Sequence, residues 1–561
     1  MDLKSKKILF AAWGAENKSD FYAYQMWGYT LKKALPSLKS FDTKEYYFKH
    51  GKNQLNKKLL QLISEQKPDA LIMIFFNDEF TPETLEQIKK ISPKTKTIII
   101  SCDEDLKYNN FYKFISLFFD IKLISQKPVI PQYKKDNLKN LYFHMDFNTY
   151  ELKPIKTKKI YDVTFIGRPK ADRAEIMKYL IDNKINIGLF GWEWNNDPNL
   201  KEYYKGFLNA EDYNKVLNQT KINLCLTKAG YKEESGLYNL KGKAFEVALT
   251  NSFQLIEYFP AISELFKPGK EIDIFNSKEE LLEKVKYYLK NEKQRQTIAN
   301  NSYKKVQKDF NREKHLKKIF TEIFTKNIQE QTFPKINKKT IILNYNDLQK
   351  SLEQLKQKTK NYDYIAFKTN QAEFSKHKTY FQVYSLENSN ADISCADYYI
   401  TSKSLGDYML FRGDWAFRRC PKDFHKLLDI NQLMTKKDFF LNNLKHFKNL
   451  SNKKEFKLIN NKNTIFISIP LLQIKKLRTI DYEDMTKAFE IRFIDNLLSS
   501  TYKKKIILNP YIYKLLLQST TKPFIFKHLF KSTFNKNNWD KLILNQKYLG
   551  NSFLSKLLKK F

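Results

Sequence analysis

The residues with the clearest potential for chemistry lie between positions 236 and 246, where a glycine-containing loop runs into a helical pattern. Backbone N–H groups at the start of a helix, together with the positive end of the helix dipole, form a binding site for anions. Lys241, Gly242 and Lys243 stand at this start, so two mobile ammonium groups are available to a diphosphate. Glu246 lies one turn further on, where a carboxylate can accept hydrogen bonds from ribose hydroxyls. The same residues also fit a solvated, lysine-rich helix start with Glu246 in a surface ion pair.

Two further groups of polar residues follow predicted strands. Gly167 allows close approach at one strand end, which makes Arg168 a second candidate phosphate contact; a surface arginine beside a turn is the equal alternative. Asp103 and Asp105 follow another strand end, and the carboxyl edge of a parallel sheet faces the ligand crevice. Either aspartate can act as a base toward an acceptor. Alternatively, both lie in a loop that caps a helix.

Aromatic residues and a histidine also occur near predicted strand ends. Trp192 and Trp194 follow a strand and can stack on a nucleobase or a sugar face, although aromatic residues at the end of a buried strand more often pack in the core. His144 ends another predicted strand, and a structural role is favoured for it.

These candidates require a scaffold that brings strand ends together, and the hydrophobic pattern supplies one. From residue 7 to about 148, short apolar runs alternate with amphipathic stretches, which is typical of parallel strands joined by helices. The alternation returns after a polar linker at 151–159 and closes with helical stretches up to residue 325. The sequence therefore predicts an α/β fold with two Rossmann-like domains facing a cleft. The predicted strands are 8–13, 71–76, 97–101, 141–143, 162–167, 185–191, 222–226, 253–257 and 272–275.

The composition of the sequence changes after residue 329, where asparagine, lysine and aromatic residues dominate. Short strands are predicted at 340–343, 364–368, 380–384 and 465–469, within a mixed α/β region. Residues 501–561 are basic and helical in tendency, with 13 lysines against one acidic residue.

Composition limits the class of protein. The chain has 561 residues and a formal charge of +38, yet no zinc-finger, RNP or basic-zipper pattern accompanies the charge, so no specific nucleic-acid partner is predicted. Its four cysteines form no C-x-x-C pair, which favours a reducing cytoplasm. Neither a signal peptide nor a membrane span is indicated.

Several motifs, taken in order, resemble one family. They are the strand at 161–167, the run at 221–224, the helix start at 240–247, and the segments 268–272 and 279–289. Residues 7 to about 325 thus resemble glycosyltransferases of the spore-maturation-protein type, CgeB-like, within the group 1 enzymes of GT-B fold. Segments 388–399 and 406–408 faintly resemble the acceptor half of GT-A glycosyltransferases.

The resemblance implies a division of labour. Residues 1–150 form an acceptor domain and 151–328 a donor domain for a nucleotide-diphosphate sugar, followed by an accessory region at 329–500 and a tail at 501–561. By position, Lys241 neutralises the diphosphate and Glu246 holds the ribose, with no metal or cofactor and with retention of anomeric configuration. Many relatives have another glutamate where Tyr238 stands here, so the sugar-orienting residue is unassigned; Glu233 and Glu234 lie nearby.

The predicted function is glycosyl transfer to a cell-envelope glycan, a lipid-linked intermediate or a protein, in the cytoplasm. The alternative is a non-catalytic scaffold of GT-B origin on a membrane or polyanion, to which Tyr238 gives some weight. Residues 501–561 either lie peripherally on anionic lipid at the inner face of the membrane or form a helical cap on the protein.

Overall fold

The structure, a computed structural model, describes residues 2–18, 20–75, 79–169, 172–226, 242–344, 346–370, 372–401, 408–411, 430–448 and 463–474. The chain divides into two compact units. One comprises Met1–Glu45, Leu60–Asn77 and Ile88–Phe333, and the other comprises Tyr46–Leu59, Asp78–Gln87 and Pro334–Phe561. The predicted α/β class with two Rossmann-like sheets is confirmed, and both of those sheets lie in the first unit.

The first sheet has six parallel strands in the order β2-β1-β3-β4-β5-β6. Strands β1 and β5 are buried along their whole length, and β3 and β4 at all but one residue each, as expected for strands covered by helices on both faces. The strands are β1 (Ile8–Ala12), β2 (Leu38–Asp42), β3 (Ala70–Ile74), β4 (Lys96–Ile100), β5 (Ile121–Ile124) and β6 (Leu141–Phe143). The helices are α1 (Tyr29–Ala34), α2 (Thr43–Gln66), α3 (Pro82–Ile91), α4 (Glu104–Lys107), α5 (Lys113–Ile115) and α6 (Ile130–Lys135), with π-helical segments at Phe21–Gly28 and Tyr108–Tyr112.

The second sheet repeats this design with six parallel strands in the order β12-β11-β10-β7-β8-β9. Its strands are β7 (Tyr161–Ile166), β8 (Ile187–Phe190), β9 (Tyr204–Gly206), β10 (Thr220–Cys225), β11 (Gln254–Glu257) and β12 (Asp273–Phe275). The helices that follow them are α7 (Arg173–Asp182), α8 (Ala210–Gln219), α9 (Lys243–Leu249), α10 (Pro260–Leu265), α11 (Lys278–Lys290), α12 (Glu292–Asp309) and α13 (Arg312–Thr325).

The last of these helices belongs to the core of the first sheet. Leu316, Phe320 and Ile323 of α13 are buried in the same cluster as Ile8 and Phe10 of β1. The chain therefore crosses between the two sheets twice. The first crossing segment is residues 144–160, and the second crossing ends at the start of α13.

The second unit contains a seven-stranded mixed sheet, in which β17 pairs with β16 beside the path β13-β14-β18-β16-β19-β15. Its strands are β13 (Thr340–Leu343), β14 (Tyr364–Phe367), β15 (Ala372–Phe374), β16 (Ile393–Thr401), β17 (Tyr408–Phe411), β18 (Leu433–Lys436) and β19 (Thr464–Ile474). Its helices are α14 (Leu352–Thr359), α15 (Lys378–Glu387), α16 (Lys437–Asn442) and α17 (Leu444–Lys448).

One predicted strand of this region is wrong. Residues 380–384 lie inside helix α15, where Phe381, Val383 and Tyr384 are all buried. Alternating aromatic and β-branched residues favour a strand by local propensity, but a helix buried on several sides accepts them equally well, and packing decides.

Residues 501–561 lie outside the described residues, so both predictions for this tail stand as made. Within the part of the chain that the structure describes, no helix is long and apolar enough to span a bilayer.

Candidate functional site

The carboxyl ends of β7 and β10 mark the point where the second sheet reverses its strand order. From β7 the chain proceeds outward to β8 and β9, and it then returns to the other side of β7 for β10. Open α/β sheets bind their ligands in the crevice at such switch points. Two cations stand at this one: the Arg173 guanidinium carbon lies 5.4 Å and the Lys243 ammonium 5.1 Å from the centre of the Phe165 ring.

Backbone carbonyls hold both cations in place. Arg173 donates hydrogen bonds to the carbonyls of Arg168 at 3.3 Å and Leu226 at 3.0 Å, which follow β7 and β10. Lys243 donates to the carbonyl of Ile166 at 2.7 Å. A phosphate entering the crevice would therefore meet two positive charges whose positions are fixed by the main chain.

Burial shifts the titration of both groups. It is the main reason that the pKa of Lys243 is lowered to about 8, and the nearby Arg173 charge lowers it further. Burial also lowers the pKa of Arg173, while the carboxylate of Glu257 at the end of β11 opposes that shift. A bound anion would favour the charged form of each cation, so anion binding and protonation of Lys243 support each other.

Glu246 is buried, with 5% of its surface exposed, and both carboxylate oxygens accept hydrogen bonds. Oε1 accepts from the backbone N–H of Asn148 at 2.9 Å, and Oε2 accepts from the Tyr213 hydroxyl at 2.6 Å. Burial raises the pKa of Glu246, and the two hydrogen bonds oppose that rise. Glu246 is thus not in a surface ion pair: it joins α9 to the first crossing segment.

Gly242, immediately before α9, also contacts this segment. A methyl group at Gly242 would overlap the Asp146 carbonyl and stand 2.8 Å from Cβ of Phe147. The rings of Phe147 and Phe245 stack beside it, 4.9 Å between centroids. Glycine is required here for this close approach of two backbones. Lys241 and its neighbours at 227–240, including Tyr238, Glu233 and Glu234, lie outside the described residues.

The loops after β7 and β8 touch each other at the carboxyl edge. The N–H of Gly167 donates to Phe190 at 2.9 Å, and its carbonyl accepts from the indole of Trp194 at 2.7 Å. Trp194 is fully buried, so it supports the loop by packing. Arg168 is half exposed and lies 3.6 Å from the carboxylate of Glu193.

An aromatic pair, the partly buried Trp192 and the exposed Phe207, also lies at this edge. Trp192 follows β8 and Phe207 follows β9, and their ring centroids are 4.8 Å apart. Phe207 is 54% exposed, which is unusual for a phenylalanine in a packed domain. The two rings are tilted by 48°, and the exposed face of Phe207 offers an apolar surface on which an aromatic base could stack.

Asp103 stands at the carboxyl edge of the first sheet, directly before α4. It is exposed, and its backbone has a φ of 54°, in the left-handed region that residues other than glycine adopt less often. Asp103 occupies the N-cap position of α4 but makes no capping hydrogen bond with its side chain. Its carboxylate is not used by the helix, and backbone strain of this kind concentrates at functional sites. Asp105 is the second residue of α4.

Glu104, between the two predicted aspartates, is fully buried. Its two oxygens accept from the backbone N–H and the hydroxyl of Ser125, at 2.8 and 2.6 Å. Burial raises the pKa of Glu104 to about 7. This carboxyl therefore titrates near neutrality at the end of β4.

A second group of buried charges lies where the crossing segment leaves the first sheet. Arg312 of α13 stands 3.7 Å from the carboxylate of Asp146. Burial raises the pKa of Asp146 to about 6, although Arg312 opposes the shift. His144, buried against Trp27 at 4.4 Å, has its pKa lowered by burial and by the Arg312 charge, so it is neutral and packs in the core.

Arg173, Glu104 and Arg312 are not among the residues predicted from the sequence. Arg173 carried a usable signal, because it starts the helix after β7 and therefore faces the carboxyl edge. Glu104 was hidden by the aspartates beside it. Arg312 carried no local signal, since one of its partners, the Met26 carbonyl, is 286 residues away.

Residues 170–321 match a family model described as glycosyl transferase-like. This stretch covers α7 to α13 and includes Arg173, Lys243 and Glu246, and it supports a resemblance to group 1 glycosyltransferases without distinguishing the CgeB-like subtype. No curated protein matches the chain.

Similar solved structures include Anabaena Alr3699/HepE and a sucrose-phosphate synthase. Anabaena Alr3699/HepE in complex with UDP-glucose is 12% identical, covering 57% of this chain and 100% of its own, with a TM-score of 0.41. Sucrose-phosphate synthase from Thermosynechococcus elongatus is 8% identical, covering 57% and 99%, with a TM-score of 0.40.

Proposed function

We propose that this protein is a glycosyltransferase that moves a sugar from a nucleotide-diphosphate donor to a glycan, lipid-linked or protein acceptor. The observation that carries the proposal is the pair Arg173 and Lys243 at the switch point between β7 and β10. Departure of a nucleoside diphosphate develops negative charge on its oxygens, and fixed cations in a partly buried crevice stabilise that charge. The family match over the same residues supports glycosyl transfer as the reaction.

The remaining donor contacts follow from this placement. Lys241 and Arg168 add further cations toward the diphosphate, beside Gly167 and Gly242. Each carboxylate oxygen of Glu246 accepts one hydrogen bond and keeps a second lone pair for a ribose hydroxyl. Trp192 and Phe207 provide the aromatic surface for the base. Since the protein supplies the cations, no divalent metal is required, and the resemblance implies retention of configuration.

On the acceptor side, the exposed carboxylate of Asp103 is the base that takes the proton of the attacking hydroxyl. Its approach to the donor depends on the sugar lying between the carboxyl edges of the two sheets. Cell-envelope acceptors, and lipid contact through residues 501–561, follow from the resemblance and the basic tail.

The test is calorimetric titration of the purified protein with UDP, GDP, TDP and CMP and with their sugars, with and without EDTA. One nucleoside diphosphate should bind, and its affinity should be the same with and without EDTA. Arg173→Gln and Lys243→Gln should each weaken that affinity by about 1 to 3 kcal/mol, the size of a charge-assisted hydrogen bond.

Lys278→Gln is the matched control, because Lys278 also starts a helix of this region but forms an exposed ion pair with Glu175. It should bind as the wild type does. Equal affinity in all three variants, or no nucleotide binding at all, would leave a non-catalytic scaffold as the better function.

A further inference from the structure

One peptide group joins Arg312 to Glu246. The carbonyl of Phe147 accepts from Nη1 of Arg312 at 2.7 Å, and the N–H of Asn148 donates to Oε1 of Glu246 at 2.9 Å. This carbonyl and this N–H belong to the same trans peptide unit, so they point in opposite directions. A cation at the oxygen and a carboxylate at the hydrogen polarise the unit in the same sense, and each strengthens the other's hydrogen bond.

Arg312 is held firmly in this position. The residue is 4% exposed, donates a second hydrogen bond to the carbonyl of Met26, and stacks its guanidinium 4.3 Å from the Trp27 ring. Its other terminal nitrogen lies 3.7 Å from Asp146, beyond hydrogen-bond distance. The guanidinium is therefore a fixed charge at the point where the two crossings meet.

We propose that Arg312 is a positioning residue for Glu246, which it orients through the peptide group between Phe147 and Asn148. The proposal rests on the proposed function, in which Glu246 accepts hydrogen bonds from the ribose. An ionised carboxylate is a stronger acceptor than a carboxylic acid, and its direction matters to a ligand with two adjacent hydroxyls. Arg312 does not touch the nucleotide: it favours the ionised form of the carboxylate and fixes its direction.

The groups that face Glu246 come from every element packed against it. They are Tyr213 of α8, Cys225 of β10, Lys243 of α9, Asp146 of the first crossing segment and Arg312 of α13. Burial raises the pKa of Glu246, whereas Lys243 and Arg312 lower it. The pKa of Cys225 is raised to about 12, so this thiol is uncharged near neutrality. Loss of the Arg312 charge should therefore raise the pKa of Glu246 further.

The first experiment needs no ligand. Urea unfolding is measured from pH 5 to 9 for the wild type, Glu246→Gln, Arg312→Gln and the double variant. A raised pKa means that the ionised carboxylate costs stability in the folded protein. The wild type should therefore lose stability relative to Glu246→Gln as pH rises through the pKa of Glu246. In the Arg312→Gln background, the pH range over which this stability is lost should extend about one pH unit higher. That extension corresponds to a tenfold change in the ionisation constant.

Two controls separate charge from packing. Arg312→Lys keeps the charge and should leave the pH window of Glu246 unmoved. Phe245→Leu removes the ring stacked on Phe147 without changing any charge, so it should lower stability with the same window. The proposal would be overturned if the stability difference due to Glu246 spanned the same pH range in Arg312→Gln as in the wild type. It would also be overturned if Phe245→Leu shifted that pH range as far as Arg312→Gln does. If Arg312→Gln does not fold, folding of its double variant with Glu246→Gln supports the proposal, and failure of both overturns it.

The second experiment uses UDP, GDP and TDP as probes. Nucleotide affinity should fall at low pH, where Glu246 becomes protonated. This fall should begin at a higher pH in Arg312→Gln than in the wild type, and at the wild-type pH in Arg312→Lys. If no nucleotide binds to the wild type, the proposed function fails, and the ligand-free unfolding series still decides whether Arg312 controls Glu246.

Discussion

The two six-stranded sheets are built alike but carry opposite charges at their carboxyl edges. At the edge of the first sheet, Asp103 is exposed, and Glu104 and Asp146 have pKa values raised to about 7 and about 6 by burial. At the edge of the second, Arg173 and Lys243 flank the Phe165 ring. Both edges are the carboxyl ends of parallel strands, so in the proposed function the side chains that follow each strand decide which ligand each edge would accept.

In the proposed function, this difference would separate nucleotide binding from the chemical step. A cationic edge attracts a phosphate group, whereas carboxyls that titrate near neutrality can accept a proton from a hydroxyl group. Substitutions at the second edge should therefore change nucleotide affinity, and substitutions at the first should change turnover. Each of the following substitutions tests whether nucleotide affinity and turnover depend on different edges.

The largest effect is expected at Asp103. Asparagine tolerates the left-handed backbone of this position but cannot take a proton, so Asp103→Asn should fold normally and lower kcat by about 10²- to 10⁴-fold. Nucleotide affinity should stay within twofold. Turnover is measured as release of nucleoside diphosphate from the donor.

Glu151→Gln is the matched control, because Glu151 is also exposed, acidic and left-handed, with a φ of 60°, but lies in the first crossing segment. It should turn over donor at the wild-type rate. A similar loss of turnover in both variants, or loss of affinity in Asp103→Asn, would break the comparison of the two edges.

The second prediction concerns pH. The pKa of Glu104 is raised from its ordinary value to about 7, so the wild type should lose stability relative to Glu104→Gln as pH rises from about 4.5 to 7. The full loss would be about 3 kcal/mol, because each unit of pKa corresponds to about 1.4 kcal/mol. Lys243 has the opposite sign: its pKa is lowered to about 8, so the wild type should gain stability relative to Lys243→Met as pH rises from about 8 to 10.5.

Urea titrations at a series of pH values measure both differences. A stability difference that is flat across its window would show that the carboxyl or the ammonium is solvated in the folded protein. Opposite slopes on the two sides of neutrality would sharpen the contrast between the edges.

The smallest effect is expected at Arg168. This residue belongs to the cationic edge, but it is half exposed and its charge is already opposed by Glu193. Arg168→Gln should weaken nucleotide affinity by less than about 1 kcal/mol, as for an exposed ion pair. A larger loss, measured by calorimetry beside Arg173→Gln, would place the diphosphate further from β10 than proposed.

The fold was largely predictable because its strands are apolar and evenly spaced. Runs such as 71–76 and 97–101 coincide with β3 and β4 to within a residue or two. Strand β2 was missed because its sequence, Leu38–Asp42, is half polar, and β5 because Lys122 interrupts it. The buried ammonium of Lys122 is accommodated by the carbonyl of Phe119 and by the side chain of Gln331. A partner so distant in sequence leaves no local pattern.

The candidate site was predictable only in part, for the same reason. Lys243 and Glu246 could be found from the helix start that carries them. Their actual contacts, with the Ile166 carbonyl and with Asn148 and Tyr213, depend on the meeting of two sheets and a crossing segment. Arg173 could have been found by giving the helix after β7 the same attention as the helix after β10.

Two helices of the first sheet contribute residues to the second compact unit, and this affects how the chain is made. Tyr46–Leu59 of α2 and Asp78–Gln87, which includes most of α3, group with Pro334–Phe561. Within that unit Ser375 hydrogen-bonds to Glu83, 292 residues earlier. At roughly 5 to 20 residues per second of synthesis, these early helices wait some 15 to 60 seconds for their partners to leave the ribosome. The second unit therefore cannot assemble until its later residues have been synthesised, and residues 334–561 expressed alone would lack the earlier segments that group with them.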